Sequence, residues 1–234
     1  AHRSGDINSE GDGCGIQTDI PRAIWGRRLE AAGLSRHLSE SRGFFVGHFF
    51  LPGGDAARIV ELKGRVRSIL DAAGAEALLE VDDRMHAAEL GPMARAEAPV
   101  FWQVCGLVRD ETKPEAGRRL FGIQAEVERV LPETHVCSLS LDSAIYKLRG
   151  TPDLLIRVYP DLQDPESKSV ITLGHSRYST NTLPTPERAQ PFSLLGHNGE
   201  INTIEKLRSS ARALGIVPTP GGSDSQDLNR VLEG

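Results

Sequence analysis

The sequence predicts an α+β fold. Three observations lead there. Short apolar runs with strand character recur through most of the chain, several flanked by turn residues. Segments with helical spacing are interspersed among them, without the regular strand–helix alternation of a doubly wound sheet. And 234 residues with 39% hydrophobic and 25% charged residues are enough to bury a core without disulfide or metal staples.

The elements follow in order. Residues 1–13 are polar and glycine-rich and read as a loop. CGIQTDI (14–20) is a short strand. Pro21 suits a helix start, and Ala23, Ile24, Leu29 and Leu34 form a loose apolar face that stops near Gly33. Phe44–Leu51 is a buried-strand run closed by Pro52-Gly53-Gly54. Asp55 caps a helix carrying Ile59, Leu62, Val66 and Leu70, with Gly74 as its stop. Strands are expected at 77–81 and 100–108. A helix over 116–130 places Leu120, Ile123, Val127 and Val130 on one stripe. Runs 136–141 and 144–148 flank Asp142-Ser143 as a hairpin, and 170–173 is a further strand. Asn202, with Glu205 three residues on, opens a helix ending at Gly215. A loop over 218–225 leads into a last helix.

Composition narrows the function. Lys plus Arg is 27 against 32 Asp plus Glu, a formal charge of −5, which argues against a nucleic-acid binder. No apolar run approaches the roughly 20 residues of a membrane span. Three cysteines without a CxxC motif read as reduced thiols of a cytoplasmic protein. No histidine spacing suggests a metal site. Cys105 and Cys137 lie in strand runs as core thiols, and His175 and His197 are expected to be hydrogen-bonded structural residues.

The chemistry-bearing residues cluster after position 174. Asn198-Gly199 between apolar segments is a hairpin signal of type I′; alternatively, the Asn198 amide and the Gly199 N–H form an oxyanion hole. Arg177 ends an apolar strand before a hydroxyl-rich segment that includes Ser179 and Thr180. It is either a surface arginine or a fork for a ligand carboxylate. Asp224, in Ser223-Asp224-Ser225, belongs to a helix-cap cluster or holds a ligand ammonium. An arginine for a carboxylate and an aspartate for an amine together suit a free amino acid.

The stretch GHSRYSTNTLPTPERAQPFSLLGHNGEINTIEKLR (174–208), followed by SDSQDLNRVLE (223–233), resembles the class II glutamine amidotransferase domain at the front of glutamate synthase large subunits. CSLSLDSAIYKLRG (137–150), VYPDLQDP (158–165), LGPMARAEAPVFWQV (90–104) and GDGCGIQTDIPRAIW (11–25) extend the likeness over nearly the whole chain. It reaches, more thinly, to the amidotransferase domain of phosphoribosyl transferases. The resemblance implies a four-layer αββα sandwich of the N-terminal-nucleophile hydrolase type, here a single domain over 1–234 incomplete at both ends. An N-terminal cysteine would attack the side-chain amide of L-glutamine, releasing ammonia to a synthase domain or subunit and leaving L-glutamate. The resemblance assigns Asn198 and Gly199 to the oxyanion, Arg177 to the α-carboxylate and Asp224 to the α-ammonium group, with Ser179, Thr180 and Arg3 also in the substrate site.

The departure lies at the start. Ala1-His2-Arg3-Ser4-Gly5 resembles an internal His-Arg-Gly element, so on this register the nucleophile precedes residue 1. In a second register Cys14 itself, in Cys14-Gly15-Ile16, is the nucleophile once 13 residues are removed; otherwise it is a small buried strand residue. No cofactor is expected in this chain, since it has no GxGxxG after a strand and no cysteine cluster. Two other readings stay open: a non-catalytic glutamine- or glutamate-binding module, and the amidotransferase half of a phosphoribosyl amidotransferase.

Overall fold

In the computed structural model, residues 10–109, 112–176, 185–199, 201–219 and 221–234 are described. The described elements begin with β1 (Cys14–Asp19), α1 (Arg22–Ala31) and β2 (Phe44–Leu51), then α2 (Ala56–Ala72), β3 (Ala75–Val81) and a short α3 (Pro92–Ala96). β4 (Val100–Val108), α4 (Lys113–Val130), β5 (His135–Ser140), β6 (Ser143–Leu148) and α5 (Pro152–Val158) follow. The last elements are β7 (Leu173–His175), α6 (Ile204–Ala213) and α7 (Asp224–Glu233). The protein is therefore mixed α+β, as expected.

The strands form two antiparallel sheets, ordered β6-β1-β7 and β3-β4-β2-β5. β2 is buried at all eight positions because both its faces are covered. On one face Phe45, Phe49 and Leu51 pack with Leu62, Val66 and Leu70 of α2 and Leu120, Ile123 and Val127 of α4. On the other face, Phe50 and Phe101 join a cluster with Cys14, Ala144, Tyr146 and Leu148 of the three-stranded sheet. Phe44, Val46 and Cys105 meet Trp25 and Leu29 of α1. Apolar residues on both faces are what made this run read as a fully buried strand.

A polar chain also crosses between the sheets. His48 Nδ1 donates to the Ile145 carbonyl (2.9 Å), so its Nε2 is free to accept from Gln103 Nε2 (3.0 Å). Gln103 Nε2 also reaches Asp161 (3.0 Å), which Arg28 holds at 2.5 Å.

Several sequence expectations need correction. The hairpin expected around Asp142-Ser143 is a crossing between sheets: β5 pairs with β2, and β6 pairs with β1. The Ser140 hydroxyl accepts from the backbone N–H groups of Asp142 and Ser143 (3.0 and 3.2 Å), tightening the turn while the strands part. The strand expected at 170–173 forms only as β7. Val170 and Ile171 are largely exposed, because side chains take the place of a ladder there. Asp19 N–H donates to Ser169 Oγ (2.9 Å), and Val170 N–H donates to Asp19 Oδ2 (2.8 Å). α4 starts three residues early, at a Thr112–Glu115 capping box. α6 starts one residue late. Its N-cap, Thr203, makes no side-chain capping bond, and Glu205 pairs instead with Arg208 (2.6 Å).

Candidate active site

The segment 185–199 carries the first candidate residues, and β1 underlies it. Gly15 of β1 pairs with His175 of β7, and a Cβ at position 15 would lie 2.6 Å from the carbonyl oxygen of Gln190. Only glycine allows so close an approach. Next to it, Gln17 Nε2 donates to the carbonyl of Ser193 (2.8 Å). The segment folds back on itself through Phe192 N–H to the Leu195 carbonyl (2.7 Å). Gln190, 1% exposed, turns its amide to residue 197: Oε1 accepts from His197 N–H (2.7 Å) and Nε2 donates to the His197 carbonyl (2.9 Å).

Asn198 and Gly199 follow directly and are exposed. The type I′ hairpin is not formed. No strand flanks the pair on its described side, and a type I′ turn needs positive φ at both central residues. Gly199 has φ +120°, whereas Asp83 is the one non-glycine with positive φ among the described residues. The Gln190 side chain thus does for residue 197 what a neighbouring strand would have done.

Asp224 opens α7 but is not its cap. Ser223 caps, in a reciprocal box with Gln226. Asp224 is half-exposed and pairs with Arg208 at 3.0 Å; the same guanidinium holds buried Asp227 at 2.7 Å. α7 is tied to the 185–199 segment: Asn229 Oδ1 accepts from Leu194 N–H (2.9 Å) and its Nδ2 donates to Ser193 Oγ (2.8 Å). Asn198 and Asp224 are therefore carried on one connected body. No hydrogen bond joins the two directly among the described residues.

Cys14 is fully buried, and burial pushes its thiol up to about 12, with Asp153 adding to the shift. In this fold it is a packed strand residue and not an accessible thiolate. Cys105 and Cys137 are buried too, and burial likewise raises each to about 12. Among the described residues His197 Nδ1 is buried with no hydrogen-bond partner, and its backbone is the part that Gln190 holds. Arg177, Ser179, Thr180 and Arg3 lie outside the described residues.

A cavity of about 640 Å³ opens at the end of β7, lined by Gly15, Ile16, Thr18, His175 and Ser176 among others. Asn198, Gly199 and Asp224 do not line it. Sequence reading assigned no role to Gln190, Arg208 or Asn229. Gln190 stands inside the AQPF motif, and a glutamine amide beside a proline was the one signal available for it.

The family model of the class II glutamine amidotransferases matches residues 1–217. The chain belongs to that family. It is 35% identical over 99% of its length to ferredoxin-dependent glutamate synthase 2, chloroplastic, of Arabidopsis thaliana, and 31% identical over 99% to the glutamate synthase [NADPH] large chain of Bacillus subtilis. Against the glutamate synthase [NADH] of Schizosaccharomyces pombe the figures are 28% and 98%. The chain spans only 16%, 15% and 12% of these relatives, respectively. It is thus an amidotransferase domain of glutamate synthase type. Among the described residues of this domain, no helix is long and apolar enough to cross a membrane.

Proposed function

We propose that the chain hydrolyses the side-chain amide of L-glutamine to L-glutamate and ammonia, and passes the ammonia to a synthase domain or subunit. A cysteine thiolate adds to the amide carbon and forms a tetrahedral oxyanion. The C–N bond then breaks, the nitrogen leaves as ammonia after gaining a proton, and water hydrolyses the γ-glutamyl thioester. The chemistry needs no cofactor within this chain. Asn198 and the N–H of Gly199 hold the oxyanion, Arg177 the α-carboxylate and Asp224 the α-ammonium group, with Ser179, Thr180 and Arg3 completing the pocket. The reading includes the full αββα layering and a reducing, cytoplasm-like setting, which the three unpaired cysteines support.

The observation that carries it is the family match together with the exposed Asn198-Gly199 pair, which follows a buried amide, that of Gln190, whose backbone lies against β1. Two features of Asp224 favour its role: it is half-exposed, and it uses one oxygen on Arg208.

The test is glutamine hydrolysis by the full-length protein, with an electrophilic glutamine analogue and peptide mapping to report which cysteine attacks. Label on Cys14 establishes the second register. Arg177→Ala should raise KM for glutamine by about 10- to 100-fold, since a charged hydrogen bond contributes roughly 1.5–3 kcal/mol. Unaltered saturation by glutamine removes Arg177 from the site. Absence of ammonia release with retained glutamine binding favours a binding module instead.

A further inference from the structure

An oxyanion hole works only if its donors are held still, because donors that must reorient during reaction lose most of their electrostatic value. Asn198 and Gly199 lie outside any described strand, so something other than a ladder must hold them. Gln190 satisfies both backbone groups of the residue just before them. Its amide has two strong bonds to one residue, at 2.7 and 2.9 Å, and is 1% exposed. A buried amide so engaged cannot rotate without leaving polar groups unpaired.

The Gln190 backbone is in turn pressed against Gly15, and Gln17 grips Ser193 three residues on. Residue 197 is therefore fixed relative to β1, two peptide units from the Gly199 N–H.

We infer that Gln190 is a positioning residue for the reaction proposed above. Through the backbone of His197 it sets where the Asn198 amide and the Gly199 N–H point. The inference rests on the oxyanion reading of that pair and adds a residue to it. It also separates Gln190 from its neighbours in the motif: Ala189 and Phe192 are buried apolar contacts, whereas Gln190 acts through two hydrogen bonds to one backbone unit.

The experiment compares kcat and KM for glutamine hydrolysis by the full-length protein in four forms: parent, Gln190→Met, Asn198→Ala and the double variant. Gln190→Met keeps the side-chain volume and removes both bonds. It should lower kcat by about 10- to 100-fold, because misplacement of catalytic groups by an ångström costs up to about 100-fold. KM should stay within about threefold, and thermal unfolding should remain a single step. On the Asn198→Ala background the same change should cost less than it does in the parent, since the part of its effect that passes through the Asn198 amide is already lost and only the placement of the Gly199 N–H remains.

Unchanged kcat in Gln190→Met, or a loss that multiplies in full on the Asn198→Ala background, overturns the inference. Unchanged kcat in Asn198→Ala tells instead against the oxyanion reading, and the inference falls with it. If Gln190→Met does not fold, Gln190→Glu replaces it. That variant can still accept from His197 N–H but loses the donor to the carbonyl, and the same fall in kcat is expected. If neither variant folds, Gln190 is a structural residue and the inference is wrong.

Discussion

At the scale of single residues, burial decides which polar groups are available for chemistry. His48 is fully buried between the sheets, and burial holds its pKa down, from 6.5 to about 4, against the opposing pull of the Ile145 carbonyl and Asp161. An unfolded chain takes up this proton near pH 6.5, whereas the folded one refuses it until about 4. More protons are bound unfolded throughout that window, so stability falls as pH drops from 6.5 towards 4. Partly buried His135 is shifted in the same direction, by desolvation and then by Lys147. Urea midpoints measured across the window should therefore decline with acid in the parent. The decline should be shallower in His48→Gln, whose amide can keep the bonds to Ile145 and Gln103. Parallel declines would show that His48 does not carry the effect.

At the scale of elements, local signals were read correctly where a run is apolar on both faces and at the cap of α2, whereas the Thr112–Glu115 box that starts α4 was passed over. Asp55 is the clearest case. Its carboxylate accepts from the N–H groups of Ala57 and Arg58 (2.9 and 3.1 Å) at the start of α2. Gly74, with φ +75°, stops the turn after α2. Asp55→Ala should cost about 1 kcal/mol, read as a shift in urea midpoint with unchanged slope, and Asp55→Asn should recover most of it. Equal stability of Asp55→Ala and parent would mean that water caps the helix as well. The same local reasoning misplaced the start of α6. Asn202 and Glu205 have the spacing of a capping box, but Arg208 claims the glutamate. It also misread 170–171, where Asp19, distant in sequence, supplies the hydrogen bonds.

At the scale of the whole molecule, charges buried far apart in sequence weld the candidate site to the core. Arg230 of α7 pairs with Glu128 of α4, each almost wholly buried. Burial pushes Glu128 up, but its bonds to His135, the Arg230 charge and the Val136 N–H outweigh this and keep its pKa low. Lys147 of β6 reaches His135 and the Glu187 carbonyl (both 3.2 Å). The network thus runs from the four-stranded sheet's helix layer to the segment that bears Asn198. Arg230→Met leaves the Glu128 carboxylate buried without its arginine partner and should cost about 3–5 kcal/mol in denaturant unfolding. The double change with Glu128→Gln should recover part of that loss. A cost below about 1 kcal/mol for the single change would mean that water replaces the arginine.

By itself the sequence determined the α+β class, the buried strands β2 and β4, the helices α2 and α7 and the family, because these depend on periodicity, caps and contiguous motifs. Asn198 and Gly199 were singled out by a two-residue pattern, of whose two candidate roles the type I′ hairpin did not form. Only the tertiary structure decided that the 140–143 turn crosses between sheets and that Cys14 is a packed core thiol. It also decided that Asp224 shares Arg208 with Asp227, and that Gln190 takes the place of a strand beside His197. Each of these depends on a partner supplied by another part of the fold. Which neighbour a backbone group or a carboxylate finds is set by packing, and local spacing carries no record of it.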